Sequence, residues 1–286
     1  PRPVLSAAGA AHAVIGDKAT DAVGRGLSKL GMPMWSSAFP LAYYPHAIKT
    51  QPSELKVVYF PSCINQTMGK SKGQSTPLID KMVALMEKAG YEVIFPKNMK
   101  NLCCGTIWES KGMPDIADRK AKELDDALFE ASDGGRYPVL CDQSPCLHRM
   151  RNTIKRVKLY EPVEFIYEYL APHLRFVQTD EPVALHFTCS TRHMNLNDMF
   201  VALAGMCTTK VVVPEEVGCC GFAGDKGFTD PEVNRYALRK LRKQLEAAGV
   251  KRGFSNSRTC EIGLTVNGGV PYQSIAYLVD ECTIKK

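Results

Sequence analysis

The chain carries one four-cysteine arrangement twice, each copy centred on a Cys-Cys-Gly triplet: Cys103-Cys104-Gly105 and Cys219-Cys220-Gly221. A single cysteine stands upstream of each triplet, Cys63 and Cys189, and another downstream, Cys146 and Cys260. Adjacent cysteines make poor disulfide partners, because their Cα atoms lie ~3.8 Å apart across a trans peptide while a disulfide usually wants ~4.4–6.8 Å. They also suit a single metal ion badly, since successive side chains leave the backbone in different directions. A cluster of several irons can take each thiolate on a different metal atom and so accepts a vicinal pair more readily. Two thiolate-ligated metal centres are therefore expected, with iron–sulfur favoured. The ligands are Cys63, Cys103, Cys104 and Cys146 in one, and Cys189, Cys219, Cys220 and Cys260 in the other.

The duplication extends to the residues around the cysteines. Residues 57–63 read as a buried strand ending in Cys63, and 183–189 repeat it before Cys189. Thr76-Pro77 then reads as a helix cap and first residue, with apolar positions from Leu78 to Ala89 and Gly90 as the stop. A strand over 91–96 leads to the first triplet; a shorter helix over 199–206 and a strand over 210–214 lead to the second. Beyond each triplet comes an amphipathic helix. One spans about 115–131, with Ala117, Ala121, Leu124 and Leu128 on a face; the other is capped by Asp230-Pro231 and striped by Val233, Ala237, Leu241 and Leu245. A third strand, 137–140 or 253–256, precedes the last cysteine, and a Pro-started helix closes each half, over 162–170 and 271–279. The copies differ mainly by a longer early connection in the first, over 68–75.

Alternating strands and helices predict an α/β fold, a tandem repeat of two βαβ-type domains with mostly parallel sheets and right-handed crossovers. Ligands of such sheets collect at the carboxyl ends of strands, where the pattern places the cysteines. The expected limits are 1–54 for an N-terminal extension, 55–176 for the first repeat and 177–286 for the second. The extension lacks the repeat pattern, and a helix over about 20–30 is expected to pack on the outside or to have joined a preceding domain.

At 286 residues, 45% hydrophobic and 23% charged, the chain has enough apolar material for one large or two medium domains. No run of 18 apolar residues predicts a transmembrane helix. The start at Pro1, without Met or a strong apolar stretch, reads as a piece of a longer protein and not as a signal peptide. Eleven cysteines, an odd and dilute set with vicinal pairs, point to a reducing compartment. A cytoplasmic location is expected, with peripheral attachment at the inner membrane face left open. Net charge is +6, drawn partly from Lys70/Lys72, Arg149/Arg151/Lys155/Arg156/Lys158 and Arg239/Lys240/Arg242/Lys243. These read first as solvated helix faces, and alternatively as docking surfaces for an acidic redox partner or an anionic membrane. No nucleic-acid motif is present.

Cys141, Cys207 and Cys282 have no repeat counterpart and read as core or spare thiols. His148, His186 and His193, close to ligand cysteines, read as ordinary core or surface residues. Gly69-Lys70-Ser71 has the end of a phosphate loop without its earlier glycine, where Ile64 stands. With no G-x-G-x-x-G run either, nothing supports flavin or nicotinamide binding within the chain.

The doubled triplet with matched flanking cysteines resembles the cysteine-rich CCG domain family over about residues 55–286. That family occurs in heterodisulfide reductases, in the iron–sulfur subunits of glycolate oxidase and anaerobic glycerol-3-phosphate dehydrogenase, and in lactate-utilisation proteins. Ser144-Pro145-Cys146, Thr188-Cys189-Ser190 and Cys219-Cys220-Gly221-Phe222-Ala223-Gly224 look most like the C-terminal part of FAD-linked D-lactate dehydrogenases. Those place an FAD-binding domain and a ferredoxin-like segment before two CCG domains. The resemblance implies an electron-transfer module of a FAD-dependent 2-hydroxy-acid (D-lactate or glycolate type) dehydrogenase. Its cofactors would be one [4Fe-4S] cluster per repeat, with FAD on a domain outside this chain. Its partners would be the flavin and ferredoxin-like domains and a quinone or other acceptor, and no catalytic residue would lie here. The family's full motif ends in C-x-x-C, but Gln143 and Ser257 stand where the fifth thiols belong. That departure puts a non-cubane paired cluster in doubt. It leaves an ordinary four-thiolate cluster in each repeat, or zinc in one. A zinc-binding structural module and heterodisulfide-reductase-like thiol–disulfide chemistry are the alternatives.

Overall fold

The computed structural model describes every residue except Pro1, Met34 and Lys72, and every side chain among these except that of Lys29. Lys72, counted above in a basic patch, thus lies outside the described residues. Strands β1 (Lys56–Phe60), β2 (Glu92–Ile94), β3 (Val139–Cys141) and β4 (Leu159–Tyr160) form a parallel sheet in the order β2-β1-β3-β4. Next comes β5 (Leu174–Phe176), which pairs antiparallel with the last strand, β10 (Thr283–Lys285). Between them β6 (Val183–Leu185), β7 (Val211–Val212), β8 (Arg252–Phe254) and β9 (Tyr272–Gln273) build a second parallel sheet in the order β7-β6-β8-β9. The second sheet copies the topology of the first strand for strand, as a tandem repeat requires.

Two helices, α1 (Arg2–Ile15) and α2 (Asp17–Lys29), precede the first sheet. The first repeat holds α3 (Leu78–Lys88), α4 (Thr106–Ser110), α5 (Pro114–Ala131), α6 (Ser144–Thr153) and α7 (Pro162–Phe165), which runs on as a π-helical turn over Ile166–Leu170. The second holds α8 (Cys189–His193), α9 (Asn197–Cys207), α10 (Pro231–Ala237), α11 (Leu241–Ala247), α12 (Arg258–Gly268) and α13 (Ile275–Glu281). Period-two alternation decides which layer each strand residue joins. Val57 and Tyr59 enter one core with α3, α7, α9 and α13, and Val183 and Leu185 enter that same core from the other sheet. Val58 and Phe60 face α5 and α6 instead, and Ala184 faces α11 and α12. The two sheets therefore sandwich a shared helix layer, and each wears its own outer helices. Within that layer Lys81 and Lys88 of α3 both pair with Asp280 of α13 at 2.5 Å. Such burial of strands on both faces is the usual condition of parallel sheets.

Several local expectations change. Pro77, and not Thr76, is the N-cap of α3, with no side-chain cap bond. Asp230 is the N-cap of α10 with Pro231 following, as expected, but its carboxylate accepts from the Thr229 hydroxyl at 2.6 Å and makes no cap bond. The helix after the second triplet is broken at residues 238–240, and its buried positions are Asn234, Leu238, Leu241 and Leu245, while Val233 is exposed. Pro271 precedes β9, and the closing helix begins only after Ser274, whose hydroxyl accepts from the Ala276 amide. Strands β4 and β9, two residues each, and helix α1 are elements that no sequence pattern announces. From the N-terminal extension, Phe39 joins the outer core of the second repeat and meets Phe228 edge-on. Among the described residues no helix is long and apolar enough to cross a membrane.

Candidate metal centres

The cysteines reach the carboxyl ends of the strands, as parallel-sheet geometry directs. Cys63 follows β1, Cys189 opens α8 after β6, and Cys146 and Cys260 sit in the first turns of α6 and α12, after β3 and β8. The triplets occupy the connections after β2 and β7. Eight sulfurs gather there in two sets. In the first, Cys103 is close enough to Cys63 and Cys104, and Cys104 to Cys146, for the thiols to shift one another's protonation. In the second, Cys189 Sγ lies 3.7 Å from Cys219 Sγ and Cys220 Sγ 3.0 Å from Cys260 Sγ, with Cys219 bonded to Cys220 between them. Both sets follow the same order, and in both the upstream cysteine is solvent-exposed while the second member of the pair is buried.

Interactions also cross each set, Cys63 with Cys104 and Cys146, and Cys189 with Cys260. Among the described residues no three His, Cys, Asp or Glu side chains converge so as to hold a single metal ion. A tetrahedral zinc asks for four donors about one centre, whereas a cluster takes one thiolate at each of several irons. The vicinal pair in each set therefore suits a cluster, which takes its two thiolates on different irons, more readily than a single zinc ion. Backbone amides add to the fit: the Gly105 N–H donates to Cys103 Sγ at 3.4 Å and the Gly221 N–H to Cys219 Sγ at 3.3 Å. These two sulfurs also receive hydrogen bonds from neighbouring thiols, Cys104 then Cys63 in one set and Cys189 then Cys220 in the other. Each is held down to about 2, while Cys63 and Cys189, donating to them, are pushed up.

Each vicinal pair is pinned from behind by a residue that the cysteine pattern does not reveal. Arg149, 5% exposed, donates to the Cys104 carbonyl at 2.9 Å and pairs with Asp118 at 2.9 Å and Glu109 at 3.2 Å. In the second repeat the buried Asn234 amide donates to the Cys220 carbonyl. Arg149 is accordingly part of the site and not of a solvated basic face. Arg151 and Arg156 are likewise spent, on Glu164 and on Asp125 and Asp126.

Cys141 lies on β3 in the core, its thiol pushed well up by burial, and takes no place in the first set. Cys207 and Cys282 hydrogen-bond each other in the shared core, at the ends of α9 and α13. All eleven cysteines are free. Changing Cys141 to alanine is expected to leave metal content untouched and to cost about 1 kcal/mol of stability, read by iron analysis and denaturant unfolding. His186 is buried against Ser255 and lowered to about 4, first by burial and then by Arg192. His148 and His193 face each other with ring centroids 5.7 Å apart.

The two positions that depart from the five-cysteine motif meet each other. Gln143 Nε2 donates to Ser257 Oγ at 3.0 Å, and the Arg258 amide donates back to Gln143 Oε1 at 3.1 Å. Alongside, the Ser144 amide donates to the Asn256 carbonyl at 3.0 Å. The first turns of α6 and α12, bearing Cys146 and Cys260, are thereby joined through a buried polar seam. Glu161, the N-cap of α7, closes it by accepting from Ser144 Oγ at 2.6 Å, Asn256 Nδ2 at 2.9 Å and the Val163 amide at 2.6 Å.

Burial pushes the Glu161 carboxyl up to about 7 from its ordinary 4.5, against the pull of those hydrogen bonds. The folded chain therefore holds a proton that the unfolded chain releases earlier. Stability from this group is full below the unfolded value and is lost as pH rises through about 7. Relative to Glu161→Gln, the native protein is expected to lose up to about 3 kcal/mol between mildly acidic and mildly alkaline pH, measured by urea unfolding at each pH.

Comparison with known proteins adds three findings. The cysteine-rich CCG domain family matches this chain twice, over residues 57–151 and 183–265. Lactate utilization protein A 1 of Bacillus mycoides is 22% identical over 248 residues, covering 79% of this chain and 97% of that protein. Among solved structures, an aspartate racemase homologue from Pyrococcus horikoshii is 15% identical with a TM-score of 0.31, covering 79% of this chain and 96% of that one. Picrophilus torridus aspartate racemase is 7% identical with a TM-score of 0.35, covering 81% and 96%. Scores that low bear on neither fold nor activity.

Proposed function

This chain belongs to the cysteine-rich CCG domain family, and from that membership we propose that it is an iron–sulfur electron-transfer module serving oxidation of a 2-hydroxy acid of the lactate or glycolate type. The observation that carries the reading is the pair of matched thiol sets, each with an exposed upstream cysteine and a buried second member of its vicinal pair. Cys63, Cys103, Cys104 and Cys146 would hold one cluster, and Cys189, Cys219, Cys220 and Cys260 the other. A cluster so held supplies one-electron acceptance and release. The chain's own residues set the terms of that exchange. Cys63 and Cys189 put thiols at the solvent edge where a carrier can approach. The Gly105 and Gly221 amides offset thiolate charge, and Arg149 and Asn234 hold the vicinal pairs against displacement.

Support for the substrate class comes from the name of the Bacillus mycoides relative, which links that protein to lactate utilisation. Electrons would arrive from a flavin domain, through a ferredoxin-like segment of the same or a partner chain, and leave toward a quinone or another acceptor. No residue here is assigned to hydride chemistry. Heterodisulfide-type chemistry is disfavoured, because the two places for a fifth thiol hold Gln143 and Ser257, bonded to each other.

Anaerobic purification, analysis for iron, sulfide and zinc, and electron paramagnetic resonance of the reduced protein test the proposal. Iron and sulfide with a reducible signal support it. Zinc near two equivalents with no reducible signal overturns it in favour of a structural module.

A further inference from the structure

The buried seam between the repeats holds the carboxyl of Glu161, bonded to uncharged partners. Glu161 is wholly buried, as are Ser144 and Thr191, and Thr188 and Asn256 are 1% exposed. Its hydrogen bonds continue as a file of hydroxyls. Ser144 Oγ lies 2.6 Å from Glu161 Oε1, Thr191 Oγ1 lies 3.4 Å from Ser144 Oγ, and Thr188 Oγ1 lies 2.7 Å from Thr191 Oγ1. One end of this file is two residues from Cys146 and the other is one residue from the exposed Cys189. It thus connects the carboxyl with the neighbourhood of both thiol sets.

Resting on the electron-transfer reading above, we propose that Glu161, with the hydroxyls of Ser144, Thr191 and Thr188, is a proton store that compensates the charge of electrons reaching the two thiol sets. For the first electron delivered to either set by a one-electron carrier, the ionised Glu161 takes up one proton from solvent along the hydroxyl file, so that net charge in the buried region is unchanged by that step. On oxidation the electron leaves and the proton returns.

The hydrogen bonding around Glu161 accommodates both of its states. When ionised, it accepts from the Ser144 hydroxyl. When protonated on Oε1, it donates to Ser144 Oγ, and the Ser144 proton turns to the Asn256 carbonyl, already 3.0 Å away. Neither state leaves a donor or acceptor of the seam without a partner, so proton uptake carries no penalty from a lost bond. Asn256 Nδ2 and the Val163 amide keep their places in both. The charged groups nearby do not fix the carboxyl in one form. Glu164, on the same helix, is occupied by Arg151 at 2.5 Å. The Cys141 thiol of β3 is neutral, being pushed well up by burial. Helices α6 and α8 and the turn after β8 present the uncharged Ser144, Thr191 and Asn256. Burial also brings the carboxyl up to about 7, where cellular proton concentrations can load and unload it. An electron added to a nearby buried site raises that affinity further, since a like charge disfavours ionisation.

Reductive titration of the iron-loaded full chain, followed by paramagnetic resonance at a series of pH values across neutrality, tests this. A tenfold change in proton concentration should move the midpoint potential toward the one-electron limit of about 59 mV, and Glu161→Gln should make the potential independent of pH in that range. As a second measurement on the unaltered chain, the infrared difference spectrum of reduction should gain a protonated-carboxyl band that shifts in deuterium oxide. A reducible signal whose potential ignores pH, or reduction without that band, overturns the proton store and leaves the electron-transfer reading standing. Absence of any reducible signal overturns both.

Discussion

Replacing Cys104 with serine is expected to halve the iron bound per chain and to erase one reduced-state signal while leaving the other in place. Cys104 is the buried member of its pair and bonds both Cys103 and Cys146, so its loss interrupts the first series at the middle. Serine preserves the volume but offers a hydroxyl that binds iron poorly beside three thiolates. None of the contacts within the second set passes through residue 104. Cys220→Ser should give the mirror result, because Cys220 bonds Cys219 and Cys260 and nothing in the first set. Iron analysis with paramagnetic resonance reads both variants, and circular dichroism checks that the sheets persist. Loss of both signals from one substitution would mean that the two sets act as one centre across the seam.

How far the sequence foretold this arrangement depended on the kind of signal. Repetition was strong evidence, because four cysteines recurring in matched contexts is improbable by chance. The sheets accordingly turn out parallel, duplicated and cysteine-tipped. Helix periodicity was reliable where apolar residues alone were buried: Ala117, Ala121, Leu124 and Leu128 all face inward on α5. It failed on the equivalent helix of the second repeat, where a polar residue, Asn234, takes the inward position in order to hold the Cys220 carbonyl. No hydropathy pattern shows that a particular asparagine will be needed inside. Strands β4 and β9 escaped because two residues are too few to display alternation, and they exist only through pairing with β3 and β8. Nothing in Gln143, Ser257, Asn256 or Glu161 taken singly marks them as partners, and only the meeting of the repeats makes them a buried network. Arg149 stood in a cluster of basic residues, and charge density alone could not distinguish it from its solvated neighbours.

The glycine of each triplet admits the second large effect. Gly105 has φ +89° and Gly221 φ +70°, in the left-handed region that L side chains adopt only with strain. Close approach adds to this. A Cβ on Gly105 would meet the Ala117 carbonyl oxygen at 2.5 Å, and one on Gly221 would meet the Val233 oxygen at 2.8 Å and Ala237 Cβ at 2.8 Å. Both obstacles are backbone or short side chain on α5 and α10, so neither can swing aside. Gly105→Ala should therefore cost about 2–4 kcal/mol, combining left-handed strain with overpacking. The damage should be directional. To relieve the contact the triplet must shift away from α5, which draws Cys103 and Cys104 from their partners and turns the residue 105 amide off Cys103 Sγ. Iron occupancy of the first set should fall along with stability, while the second set keeps its signal. Alanine at Lys111, exposed and paired with Asp225 at 2.8 Å, serves as the control and should leave iron occupancy unchanged and shift stability by no more than about 0.5 kcal/mol. A Gly105→Ala protein with native unfolding midpoint and full iron would show that the loop does not need its glycine, and with it would go the close packing that holds each thiol pair at the rim of its sheet.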